Sequence, residues 1–267
     1  MSAGEAQTLG QILFYRQLEP LSLEKHKGLG VKQVADPFSF MAETHLVPLT
    51  VDEFGLAALC YPIIFDTQSK TPLAVMGLRP GMNVFLGPDG SLDPEVYLPA
   101  FARRYPFLPV MAPTTPGAEP PAADGDRVLV CIDRAAKMIS NTPELPFFEG
   151  DQPSRFTQDA IQFCREFDAL GRRTQEFVNL MDKHDLFELT PLSLPRAKPD
   201  GTPAEPQKIG EYLRISESKL NKLPQETYLE LRDRGVSAVV HAHLLSLGLW
   251  PKILSRAARM QAATPLA

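Results

Sequence analysis

Twenty-six of the 267 residues are proline, close to one in ten. Each proline fixes φ and removes a backbone donor, so it ends helices and is kept out of central strands. A chain punctuated this often is predicted to fold as many short elements joined by turns. It is long enough to do so around a real core, because at this size folding buries roughly 70–75% of the unfolded surface. With 44% apolar and 22% charged residues the composition is that of a globular protein, neither disordered nor fibrous.

The net charge of −5 argues against a generic electrostatic grip on nucleic acid. The longest apolar stretches, Gly55–Phe65 and Val236–Trp250, fall short of the ~20 residues a spanning helix needs. Met1–Gly10 has neither the basic nor the apolar region of a secretory signal. Cys60, Cys131 and Cys164 are odd in number and widely spaced, unlike a disulfide framework. A soluble, reduced, cytoplasmic protein is expected, with export by a route lacking a cleaved signal left open.

Read along the chain, residues 1–12 form a tail and Leu46–Leu49 an extended piece. Thr50 with Glu53 makes a capping box, predicting a helix over Val51–Cys60, followed by a strand at Tyr61–Phe65. Leu73–Leu78 and Met82–Leu86, joined by Arg79-Pro80-Gly81, read as a hairpin. Pro94–Tyr105 holds a short helix, and Phe107–Met111 and Val128–Asp133 are strands, with an exposed loop over 112–126. A helix capped by Thr157 runs to about His184, and Pro195–Gln207 is a second exposed loop. Tyr212–Ile215 is a short strand. Helices follow from Pro224 to Gly235, from Ser237 to near Gly248, and from Pro251, with 258–267 as a tail. The order predicts an α+β fold in one domain over 13–257: an antiparallel sheet core from the β-rich 13–135, packed with helices mainly from 156–257.

No local signature of catalysis is legible. Gly28-Leu29-Gly30 has Gln33 where a dinucleotide fingerprint needs glycine, and there is no nucleophile elbow. His241-Ala242-His243 sits in a helical context, where residues two apart point about 200° apart and cannot share an ion. No metal and no cofactor are expected. Arg103-Arg104-Tyr105-Pro106-Phe107 mixes cations with aromatics, and Arg and Tyr are typical interface anchors. Arg103, Arg104, Tyr105 and Phe107 are therefore the candidate partner-contact residues. The competing arrangement has the aromatics in the core and the arginines paired with acids. Should separate segments assemble a pocket instead, His26, His45, Asp133 and Arg104 are the candidate polar groups.

Several strings resemble the bacterial SapC family: Tyr15–Pro20 leading to Glu24–Leu29, Phe40–Leu49, Glu53-Phe54 through Phe65, Asn83–Phe85, Tyr97–Ala100 with Arg103–Phe107, and His243–Leu247. The resemblance runs from about Tyr15 to Leu254. It implies a link to surface layers and serum resistance and carries no catalytic residues over. Similar proteins are often encoded beside TonB-dependent receptors and halogenase-like or cupin-like genes. That implies an accessory protein whose partner is another protein, with a product of such a receptor locus as the candidate. A peptide-transport permease of the same name is a membrane protein and does not fit a chain without spanning segments. The leading expectation is a non-enzymatic accessory protein acting by protein contact; the alternative is an enzyme or ligand-binding module with an assembled pocket.

Overall fold

The computed structural model describes residues 13–111, 128–197 and 202–263. The expected tail at 1–12 and the expected loop at 112–126 lie outside them. The first strand, β1 (Leu18–Pro20), is followed by α1 (Leu23–His26), β2 (Gly30–Val31) and β3 (Leu46–Pro48). At Thr50 the predicted cap forms: Glu53 reaches back to accept the Thr50 N–H at 2.7 Å. A 3-10 turn over Val51–Glu53 then leads into α2 (Phe54–Ala57), a shorter helix than expected. Then come β4 (Ile63–Phe65), β5 (Pro72–Val75), α3 (Ala100–Arg103), β6 (Phe107–Met111) and β7 (Val128–Asp133).

Four two-residue strands follow: β8 (Ile139–Ser140), β9 (Leu145–Pro146), β10 (Phe148–Glu149) and β11 (Gln152–Pro153). The long helix α4 (Arg155–Lys183) is capped three residues before the predicted position. Ser154, not Thr157, is the cap residue, and its Oγ accepts the Thr157 N–H. The strands β12 (Phe187–Ala197) and β13 (Pro203–Ile215) precede α5 (Glu217–Leu220), α6 (Gln225–Asp233), α7 (Ser237–Ser246) and α8 (Trp250–Ala263). Gly235, at φ +73°, stops α6 in the left-handed conformation that glycine adopts without strain.

Every strand pairing is antiparallel, and the fold is α+β. The sheets run in the orders β12-β13-β4-β5-β3, β1-β7-β6, β8-β2-β9 and β10-β11. Three sequence expectations need correction. Of the stretch 195–207, expected as an exposed loop, residues 195–197 and 203–207 are strand, the ends of β12 and β13, with Leu194 paired to Gln207 and Ala197 to Pro203. Pro191 and Pro195 are tolerated because β12 is the sheet edge, where a missing donor breaks no ladder. The second arm of the expected hairpin, Met82–Leu86, is not a strand. Asn83 takes over its bonding, donating to the Met41 carbonyl and accepting the Phe85 N–H. Finally, α8 continues through 258–263, within the expected tail.

The largest core cluster packs β3, β4 and β5 against α2, α7, α8 and the second half of α4, through Phe54, Phe65, Phe177, Met181 and Ile253. A second cluster, with Phe107, Val130, Ile132, Phe147 and Cys164, joins β6 and β7 to the first half of α4. Because α4 has 29 residues, about 43 Å at 1.5 Å per residue, it reaches both.

Candidate functional site

The segment 97–107 is held from behind by one buried acid. Glu53 Oε1 accepts the Tyr97 hydroxyl at 3.0 Å and the Ala100 N–H at 2.6 Å, satisfying an orphan donor at the start of α3. Burial and the nearby Glu53 charge push the Tyr97 hydroxyl up to about 12, so it stays a donor at neutral pH. Tyr97 in turn accepts from Arg103 Nη2 at 3.0 Å. The Arg103 guanidinium lies over both Tyr97 and Phe163, 5.5 Å from each ring centroid.

Arg104 turns inward. It is buried, and its guanidinium sits 4.0 Å from the Phe101 centroid and 4.6 Å from that of Phe167. Desolvation pulls its pKa below the ordinary arginine value, partly offset by the Tyr15 hydroxyl beside it. Tyr105 stacks on Phe40 at 4.1 Å and donates to Asp133 Oδ2 at 3.1 Å. Phe107 is buried against Phe147 and Phe156.

Of the four candidate contact residues, only Arg103 is exposed and Tyr105 is half-buried. Arg104 and Phe107 face the interior, which corrects the expectation that they meet a partner at the surface. The reason is packing: Phe107 opens β6 against α4, and the Arg104 guanidinium is sandwiched by two phenylalanines. Among the described residues neither arginine pairs with an acid, in contrast to the competing arrangement; both lie against aromatic rings.

These residues form one wall of a groove of about 310 Å³. The opposite wall is the face of α4 bearing Phe156, Ala160 and Phe163, with Asp159 beside it, and Val31 and Met138 complete the lining. Phe156, Ala160, Phe163 and Phe167 are spaced four, three and four apart, a helical stripe that the sequence itself carries.

The other candidates are not brought together. Asp133 is buried with both oxygens engaged: Oδ1 accepts the N–H of Gln17 at 2.9 Å and Ala135 at 3.1 Å, and Oδ2 accepts the Arg16 N–H at 3.1 Å beside Tyr105. His26 is buried under α1, its Nδ1 accepting the Ser22 N–H at 3.0 Å and its Nε2 facing Glu19 at 3.3 Å. His45 is half-buried beside β5, where desolvation lowers its pKa. None of the three lines the groove; of the four candidate polar groups only Arg104 does.

The histidine pair also separates. His243 is buried, with Nε2 accepting the Ile215 N–H at 3.0 Å, whereas His241 is exposed and bonded to the Ser237 carbonyl of its own helix. Among the described residues no cluster of His, Cys, Asp and Glu has the arrangement of a metal site. Among them, too, no helix is long and apolar enough to cross a membrane.

Neither the curated proteins nor the solved structures returned a significant match to the chain. The family comparison did, over residues 21–253, nearly the whole of the described fold, and the chain belongs to the SapC family.

Proposed function

We propose that this SapC protein is a non-enzymatic accessory protein that works by contact with another protein. The observation that carries the reading is the exposure of Leu56, Leu59 and Leu245, at 58%, 73% and 76%, on α2, the turn after it, and α7. These two helices pack on each other. On α7 the inward positions Val240, His243 and Ser246 are buried, while Ala238, His241 and Leu245 face solvent, so an apolar helix presents its outer side uncovered. Exposed apolar side chains grouped on adjoining elements are a feature of binding surfaces. The buried ionisable groups Asp133, His26 and Glu53 are committed to holding backbone, which supports a structural role for them.

The SapC link directs the search for that partner to surface-layer or TonB-dependent receptor loci. Work in the cytoplasm is part of the reading, supported by three buried cysteines that are unpaired. The test is affinity purification from the native bacterium with the wild-type chain and a Leu59→Asp, Leu245→Asp double variant, both at exposed positions. The wild type is expected to retain one protein in stoichiometric yield, and the variant to lose at least about tenfold of it without a change in melting temperature. Equal recovery by both would overturn the reading.

A further inference from the structure

The groove over α4 combines an aromatic wall with a desolvated cation. Its walls are apolar and aromatic: Phe107, Phe156 and Phe163 with Val31, Met138 and Ala160. Yet two arginines line it. One of them, Arg104, is 7% exposed, and no carboxylate pairs with it among the described residues. Its Nε is buried with no hydrogen-bond partner. Burying a cation without a counter-charge is costly, and the Tyr15 hydroxyl beside it and stacking on Phe101 and Phe167 return only a part.

The one acid in the lining does not neutralise it. Asp159 lies 3.8 Å from Arg155 Nε, with both side chains largely in solvent, at the outer edge of α4. The local balance is two positive groups against one negative, inside a chain whose net charge is −5. Arg103 is held at the groove by Tyr97, so its charge is positioned before anything binds.

We propose that this groove binds a small organic anion, a carboxylate on a flat apolar body, with the carboxylate against Arg104 and Arg103 and the body along the wall formed by Phe107, Phe156 and Phe163. A bound carboxylate would supply the counter-charge Arg104 lacks, in a desolvated setting where a charge-assisted bond is strong. The ring faces and edges of the three phenylalanines suit a planar apolar body better than a hydrated inorganic ion. At about 310 Å³ the groove is at the small end of ligand sites, which points to an acid of bicyclic size and not to a dinucleotide. The proposal is independent of the contact surface proposed above, whose leucines lie on other elements.

The test is calorimetric titration of the full-length chain with phenylacetate, 2-naphthoate and octanoate, each beside its neutral amide. At least one acid is expected to bind, and at least about tenfold more tightly than its amide. Two variants avoid removing Arg104, which packs the core. Ala160→Phe fills the groove from α4 and is expected to abolish binding of acid and amide alike. Asp159→Asn removes an exposed opposing charge and is expected to tighten the acid severalfold while leaving the amide unchanged. Equal affinity for acid and amide, an Asp159→Asn variant that binds the acid no better, or no binding of any probe at millimolar concentration would each overturn the proposal. If Ala160→Phe misfolds, the Asp159→Asn comparison and the acid-to-amide ratio still decide it.

Discussion

The Glu53 carboxylate and the backbone N–H of Ala100 meet at 2.6 Å across 47 residues of chain. The same side chain accepts the Thr50 N–H and hydroxyl on Oε2 and the Tyr97 hydroxyl on Oε1, so one buried acid ties the start of α2 to the start of α3. Through Tyr97 it also sets where Arg103 stands beside the groove.

Glu53→Ala leaves two buried backbone donors and two hydroxyls without their acceptor. A loss of about 3 kcal/mol or more is expected in a denaturant titration, since bonds to a charged group are worth ~1.5–3 kcal/mol each and the orphaned donors add to that. Glu53→Gln should be nearly as costly, because all four partners are donors and an amide turns its own NH₂ toward one pair. A glutamine variant as stable as the wild type would show that the hub contributes little.

Adjacent arginines are expected to behave oppositely. Arg103→Ala, at an exposed position, should change stability by about 0.5 kcal/mol or less. Arg104→Ala leaves a void between Phe101 and Phe167 and should cost about 2 kcal/mol or more, through lost packing as well as lost charge. Equal melting temperatures for the two variants would contradict the burial described above.

Burial holds the His243 ring well below its usual range, at about 3, so it stays neutral in the fold and accepts the Ile215 N–H. In the unfolded chain it protonates near pH 6.5. The unfolded state therefore takes up a proton first as pH falls, and the folded state loses stability progressively below about pH 6.5, toward pH 3. Half-buried carboxylates with lowered pKa, such as Asp36 and Asp93, add their loss only at more acid pH. Between pH 7 and pH 5 the melting temperature should fall, and His243→Gln, which keeps an acceptor, should flatten that slope. His45, also lowered by burial, leaves a residual slope.

The thiols should be inert until the chain opens. Cys60, Cys131 and Cys164 are all buried and unpaired, and desolvation raises the Cys164 thiol to about 11. Alkylation with iodoacetamide under native conditions is expected to leave Cys164 unmodified, and denaturation without reductant to release three reactive sites. A disulfide between any two would contradict this and the cytoplasmic reading together.

Much of the local structure is legible from residues a few positions apart. The Thr50–Glu53 cap, the strands at Phe107–Met111 and Val128–Asp133, the α4 period and the Gly235 stop all follow from side-chain and backbone chemistry within a turn or two of chain. Where that chemistry misleads, a distant neighbour is the cause. Proline at 191 and 195 signals a loop unless the strand is an edge, and only pairing with β13 makes it one. Arg103 and Arg104 are equally polar as letters, yet α3 directs one to solvent and the other between Phe101 and Phe167.

Composition, element types and membership of the SapC family are properties of the chain itself, because propensities, caps and matching strings act over short separations. The groove is not such a property. It exists because α4 is long enough to reach both hydrophobic clusters and, while its second half packs near β4 and β5, lays Phe156, Ala160 and Phe163 opposite Arg103–Phe107. Which side chains are desolvated, and so which charges lack a partner, depends on those long-range contacts, and only the folded arrangement decides them.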